Sequence, residues 1–236
     1  MEIGSPAAAA EHCRYAARSN MNLMQPLIDG VAAHLASMGI KLHCKLNGKA
    51  TAGDIDTALK RLGIPLPASY VEFITQFSNG IELSWNADGA SFASFEMATL
   101  ESSIDGALGM RDWRFHDDEA ARDYGFPYVD DSKLAVETNR QMHNWIPIHA
   151  EGNGDNFSIN LNPDGFGNVI FDQHDWLDGG TGHNGYFMAP DLPTFIESWA
   201  AVCFSHPKSL WWKSVIGEDG VNWNSDEFDD RFRVNT

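Results

Sequence analysis

The sequence predicts an α+β fold, in which helices pack against an antiparallel sheet that is mostly a meander. Two amphipathic helical segments, joined by a proline-containing connector, come first in the central part of the chain. Three short runs of alternating or apolar residues follow, separated by Gly- and Asn-rich turns. Turns this short suit antiparallel neighbours, because parallel strands need long crossovers. A further apolar helical segment then closes the pattern.

Residues 1–50 are predicted to be an N-terminal extension made of a helix and a short strand. Apolar residues from Met24 to Met38 recur at helical spacing, and Gly39 ends the pattern. Lys41 to Leu46 then alternate polar and apolar side chains, as a strand does. This extension is expected either to form a subdomain of its own or to pack onto the residues that follow.

The main domain is predicted to span residues 51–205. Thr51 and Asp54 have the spacing of a helix N-terminal cap, and Gly63 ends that helix. After the connector Ile64 to Pro67, a second helix is expected to run to Asn79-Gly80. Ile81 to Trp85 alternate like a strand, and the remainder of 81–145 is irregular in pattern.

The later half of the main domain is predicted to contain the meander and a closing helix. Strands are expected at Trp145 to Ile148, Phe157 to Leu161 and Asn168 to Phe171, with a helix from about Leu192 to Phe204. Residues 206–236 are then an acidic, aromatic C-terminal extension.

The charge balance is strongly acidic. Sixteen Lys and Arg face 33 Asp and Glu, a net charge of −17. Residues 151–191 contain seven of the acids and neither Lys nor Arg. Such a surface repels nucleic acid and anionic membranes and attracts a basic protein. The same charge also serves solubility, so it does not by itself prove a partner.

The three cysteines indicate a reducing compartment. Cys13, Cys44 and Cys203 lie far apart and form no CxxC pair, so we expect a cytoplasmic protein without a disulfide framework. Cys44 and Cys203 are both expected to be buried, inert thiols. No stretch approaches the roughly 18 apolar residues that span a bilayer, so no membrane is expected as a partner.

The order of motifs resembles the SUKH superfamily, which groups fungal Smi/Knr-type cell-wall regulators with bacterial toxin-immunity proteins. The match covers about residues 50–205, whereas the two ends have no counterpart and the loop at 100–140 is long for the family. It is carried by Ile55, Leu59, Leu62-Gly63, Ile64-Pro65-Leu66-Pro67, Tyr70, Phe73, Asn79-Gly80, Ile146-Pro147-Ile148, Gly152-Asn153-Gly154-Asp155, Asp191-Leu192, Phe195 and Ile196.

The resemblance implies a binding module rather than an enzyme, with no cofactor. Many of its bacterial members resemble immunity proteins that neutralise a cognate toxin, which implies that role here. Its fungal members imply the alternative of a regulatory or scaffold domain with an endogenous partner. No catalytic residue set carries over from the family.

The residues predicted to contact a protein partner are acids of the 151–191 segment and tryptophans. Adjacent tryptophans rarely both face inward on one element, so one of Trp211 and Trp212 is expected to be exposed as an anchor, although core packing is the default for a tryptophan. The predicted contact set is Glu151, Asp155, Asp172, Asp175, Trp176, Asp178, Trp211 and Trp212.

A metal-dependent hydrolase is the remaining alternative. Carboxylates with imidazoles suit a divalent cation. However, the spacing matches no ligand motif, and Asx residues in Gly-rich loops usually form turns, so neither a metal nor a catalytic residue is predicted. The residues that this alternative would use are Asp155, Asp172, His174, Asp175, Asp178 and His183.

Overall fold

The computed structural model describes residues 21–87, 91–113, 140–152, 154–172 and 185–234. The helices are α1 (Met21–Ser37), α2 (Ala52–Leu62), α3 (Ala68–Glu72, continued by a π-helical turn at Phe73–Phe77), α4 (Leu100–Trp113) and α5 (Leu192–Ala200). The strands are β1 (His43–Leu46), β2 (Ile81–Asn86), β3 (Phe92–Met97), β4 (Trp145–Ala150), β5 (Asn156–Asn160), β6 (Val169–Asp172), β7 (Tyr186–Ala189), β8 (Ile216–Gly217) and β9 (Gly220–Val221).

Two antiparallel sheets carry the fold, and each is a meander. The first has the order β1-β2-β3 and the second β4-β5-β6-β7, while β8 and β9 form a small hairpin. A backbone hydrogen bond of 2.8 Å from Ala98 N to Ile148 O joins the end of β3 to β4. The predicted α+β class with antiparallel strands is therefore confirmed.

The helix α2 begins after Thr51 and ends before Gly63, as its sequence predicts. The side chain of Thr51 accepts a hydrogen bond from the backbone N–H of Asp54, and the Asp54 carboxylate accepts one from the backbone N–H of Thr51. Gly63 ends the helix with φ +70°, a left-handed conformation that glycine adopts without steric cost. The cap predicted from spacing alone is thus formed.

Five elements of the fold were absent from the sequence prediction: β3, α4, β7 and the hairpin strands β8 and β9. The helix α4 contains two glycines and scattered polar residues, which weaken its local helical pattern. It packs on β4, where a Cβ at Gly106 would lie 2.9 Å from Pro147 Cγ. Tertiary packing, rather than propensity, therefore stabilises this helix.

The predicted closing helix is shorter than expected. It ends at Ala200 instead of Phe204, because Cys203 and Phe204 have φ of +53° and +59°, outside the helical region. The indole N–H of Trp199 donates to Ser205 O at 2.8 Å, and that of Trp85 donates to Cys203 O at 2.7 Å. These buried hydrogen bonds stabilise the turn at Cys203 and Phe204, after which the C-terminal segment begins.

One apolar core takes residues from all three predicted segments. Met24, Ile28, Val31 and Leu35 of α1 are buried in it, as are Trp212, Phe228 and Phe232 near the C-terminus. The backbone N–H of Val234 also donates to Ala201 O at 2.9 Å. Helix α1 and the C-terminal segment thus pack onto the central residues. Within the described ranges, no helix combines the length and the apolar character needed to cross a bilayer.

Candidate functional site

The turn after β4 positions an acidic side chain against the C-terminal segment. The backbone N–H of Glu151 donates to Asp155 O at 2.7 Å, and that of Gly154 donates to Glu151 O at 3.0 Å. Gly154 has φ +95°, which this tight turn requires. The Glu151 carboxylate then accepts a hydrogen bond of 3.0 Å from the indole N–H of Trp212. One oxygen, Oε1, therefore joins residues that are 61 positions apart.

Two imidazoles flank the same oxygen. His149 Nε2 lies 3.4 Å and His206 Nδ1 lies 3.9 Å from Glu151 Oε1. His206 Nε2 donates to Ser94 O at 3.1 Å, so Nδ1 is the nitrogen that faces Glu151. His149 Nδ1 lies against the backbone of Glu96, 3.2 Å from N and 3.0 Å from O. Each imidazole thus contacts the backbone of β3 in the first sheet and points at Glu151, which directly follows β4 of the second sheet.

Burial and these contacts determine the ionisation of the group. Burial alone would raise the pKa of the Glu151 carboxyl, but the hydrogen bond from His149, the charges of His206 and His149, and the Trp212 N–H together lower it below its ordinary value. Burial lowers the pKa of His206, against the opposing effect of Glu151. At neutral pH the site therefore holds an ionised carboxylate beside an uncharged His206.

An apolar tip projects beside this acid. Leu210 N donates to Pro207 O at 2.9 Å, and Ser209 N donates to the Glu227 carboxylate at 2.9 Å, which fixes a tight turn. The turn leaves Leu210 and Trp211, here called the apolar tip, 57% and 56% exposed. Leu210 has φ +59°, an unfavourable conformation for a leucine. The chain thus holds two large apolar side chains in water.

A cavity of about 330 Å³ lies between the tip and the acid, and we call it the Glu151 pocket. Its walls combine carboxylates with aromatic and aliphatic surface. The lining residues are Phe92, Ser94, Glu151, Gly152, Asp155, His206, Leu210 and Trp212.

The structure brings several of the predicted contact residues to this place. Glu151, Asp155 and Trp212 line the Glu151 pocket, and Trp211 is next to it in the chain. Asp172 lies at the same end of the meander, since it pairs in register with Asn156, the neighbour of Asp155. The predicted residues Asp175, Trp176 and Asp178 lie outside the described residues.

Burial separates the predicted contact residues into two groups. Trp211 is exposed, whereas Trp212 and Asp172 are each 2% exposed and therefore lie beneath the surface. The two adjacent tryptophans thus face opposite ways, as expected. That this set contacts a partner stays a prediction.

The sequence prediction missed five residues that line the pocket: Phe92, Ser94, Gly152, His206 and Leu210. Ser94 and Phe92 belong to a strand that was not predicted, and His206 follows a helix whose end was placed too late. A lone histidine in a Ser-His-Pro sequence carries no local signal of a contact to residue 151. Only the packing of the C-terminal segment against both sheets reveals it.

The metal alternative rests on residues that are only partly described. Asp155 and Asp172 lie near one another, but His174, Asp175, Asp178 and His183 fall outside the described residues. Among the residues that the structure describes, no group of three or more His, Cys, Asp or Glu is placed to hold a metal ion.

The two described cysteines differ in environment. Cys203 is buried, and burial raises the pKa of its thiol to about 12, which keeps it protonated. Cys44 was expected to be buried, which is wrong: it is exposed, because β1 lies at the edge of its sheet. Partial burial still raises the pKa of the Cys44 thiol, and the negative charge of Asp29 raises it further by a smaller amount.

Comparison with known proteins identifies the family. None of the curated proteins matches the chain closely enough to count as a relative. The family model described as SMI1 / KNR4 family (SUKH-1) matches residues 49–198, from just before α2 into α5. That match covers more than half of the chain and confirms the resemblance inferred from the motifs. The chain belongs to the SMI1 / KNR4 family (SUKH-1).

Proposed function

We propose that this chain is a protein-binding module of the immunity type, which neutralises a cognate toxin by binding it. Family membership supports a role of the toxin-immunity or Smi/Knr-like kind. The observation that carries the proposal is the apolar tip: Trp211 is 56% exposed beside a pocket that contains two carboxylates. Tryptophan is among the residues that most often contribute the largest share of binding energy at protein interfaces.

The partner in this proposal is a basic protein domain. A net charge of −17 disfavours nucleic acid and an anionic membrane and accelerates encounter with a cationic surface. The acids would act mainly on the association rate, whereas Trp211, once buried in the complex, would slow dissociation. Occlusion of the toxin's active surface then follows from binding, without any chemical step by this chain.

The test captures the partner and then measures its kinetics. The full chain is immobilised, proteins are captured from cells of the source organism, and the captured protein is purified and identified by mass spectrometry. Its association and dissociation rates are measured at low and high salt, with wild type, Trp211→Ala and the control Phe166→Ala. Phe166 is also exposed, at 42%, but lies in the turn between β5 and β6, at the opposite end of β5 from Asp155.

We expect a basic partner whose toxic activity falls when this chain binds it. Its association rate should drop steeply with salt, because screening shortens the reach of the acids to about 8 Å at physiological ionic strength. Trp211→Ala should weaken binding at least tenfold, and Phe166→Ala should not. A salt-insensitive association rate, or equal effects of the two variants, would contradict the proposal. A partner without toxic activity would favour the regulatory alternative.

We place this activity in the cytoplasm. Cys44 and Cys203 both carry free thiols, which suits a reducing compartment. Fractionation of the source cells with an antibody to the chain tests the location, and recovery outside the cytosolic fraction would overturn it.

A further inference from the structure

We propose that the Glu151 pocket receives one arginine side chain of the protein partner. This inference rests on the proposed function, because it names the chemical group that the same surface recognises. The pocket measures about 330 Å³, at the small end of the range of about 300–1,000 Å³ typical of ligand sites. It has room for a single long side chain rather than for a folded segment.

The chemistry of the walls suits a guanidinium group. Glu151 and Asp155 supply carboxylates, which pair with arginine through planar, two-pronged hydrogen bonds. Phe92 and His206 stack at 4.9 Å between ring centroids, and Trp212 lies edge-on to His206 at 5.8 Å. Of these rings, Phe92 is half-buried and supplies the flat aromatic surface that accepts a guanidinium by stacking. Leu210 offers aliphatic surface to the methylene stem of the side chain.

The carboxylate of Glu151 is held in a fixed position by neighbouring side chains before any ligand binds. Trp212 donates to Oε1, and His149 directs Nε2 at the same oxygen from 3.4 Å. The ring of His149 is itself 6% exposed, and its Nε2 atom is buried without a hydrogen bond of good geometry in the described structure. An ionised carboxylate held in place by buried groups loses little freedom when a cation binds, which favours affinity.

The residues matched by the family model supply only part of the pocket. Phe92, Ser94, Glu151 and Asp155 lie within the matched residues 49–198, whereas His206, Leu210 and Trp212 lie beyond them. The C-terminal extension thus completes a site that the matched residues leave open. A recognition element added at this position would distinguish one partner from another.

The test uses the full chain and a small probe, so it does not need the partner. N-acetyl-arginine amide is titrated into ¹⁵N-labelled protein, and N-acetyl-citrulline amide serves as its uncharged isostere. The signals followed are the indole N–H of Trp212 and the backbone N–H of Gly152. Variants are Glu151→Gln, Asp155→Asn and the control Glu101→Gln, an exposed acid on α4 that lies outside the pocket.

We expect saturable shifts of both signals with the arginine probe, and at least tenfold weaker binding of citrulline. Asp155→Asn and Glu151→Gln should each weaken arginine binding at least fivefold, with an otherwise unchanged spectrum, and Glu101→Gln should leave it as in wild type. Equal binding of citrulline, a lysine probe that binds as well as arginine, or shifts spread over the whole acidic surface would overturn the proposal. Because the partner is not used, failure here leaves the salt and Trp211 results of the proposed function intact.

Discussion

At the level of single residues, the Glu151 side chain connects parts of the fold that are distant in sequence. Its Oε1 accepts from Trp212 and lies near two imidazoles, so it joins the turn after β4 to the C-terminal segment. The contacts lower its pKa although burial opposes them. A carboxyl whose pKa is lower in the folded than in the unfolded chain stabilises the fold at pH values above its unfolded pKa. That stabilisation is lost as the pH falls through the folded pKa.

Glu151→Gln should therefore lower the free energy of unfolding at pH 7. We expect a loss of about 1.5 kcal/mol, at the low end for a hydrogen bond to a charged group, because the glutamine oxygen still accepts from Trp212. The difference from wild type should shrink as pH falls from the ordinary value of 4.5 through the lowered pKa. Urea unfolding across this range measures it, with Glu101→Gln as the control. A difference that is constant with pH would show that ionisation of Glu151 does not stabilise the fold.

At the scale of elements, the turn that carries the apolar tip is strained. Leu210 has φ +59°, and a left-handed conformation costs an L-residue with a Cβ roughly 1–2 kcal/mol. A natural turn residue such as glycine would avoid this cost. The leucine at this position lies next to Trp211 and lines the Glu151 pocket, and its side chain is 57% exposed instead of buried in the core.

Leu210→Gly should accordingly be more stable than Leu210→Ala. Both variants remove the exposed apolar side chain, but only glycine relieves the backbone strain. We expect a difference of about 1 kcal/mol in favour of glycine, seen as a higher urea midpoint at unchanged slope. If alanine proves equal to or better than glycine, the turn is not strained at this residue.

At the scale of the whole molecule, the family match and the folded unit do not coincide. The match ends at residue 198, yet Trp212, Val215, Phe228 and Phe232 are buried in the common core. Trp212 packs edge-on to Phe157 of the matched part at 5.1 Å, and to Trp199, the residue directly after the match, at 5.2 Å. Removal of the C-terminal segment would expose these rings to water.

A chain that ends at residue 205 should therefore fail to fold cooperatively. Burial of each large apolar side chain contributes about 1.5–3 kcal/mol, so the loss of several approaches the whole stability of a typical domain, about 5–15 kcal/mol. Circular dichroism melts and the dispersion of amide NMR signals measure the effect. A chain that ends at Val234 is the control and should melt as wild type does. A cooperative transition of the shorter chain near the wild-type midpoint would show that the extension is an accessory.

Some features of this protein were readable from the sequence because they depend on neighbours in the chain. The cap at Thr51 and Asp54, the glycine stop at Gly63 and the strands of the meander each follow from a pattern a few residues long. The motifs, taken in order, also sufficed for the family. Where the local pattern was weak, as in α4 with its two glycines, the prediction failed, because packing on β4 stabilises that helix instead.

The sequence by itself thus determined the fold class, the strongly acidic character and the family. Only the tertiary structure decided that Glu151 meets His206 and Trp212, that Trp211 faces water while Trp212 faces the core, and that α1 and the C-terminal segment share one core. The physical reason is the range of the interactions. Helix caps and strand alternation are local, whereas a pocket is formed by side chains whose positions in the chain bear no fixed spacing to one another.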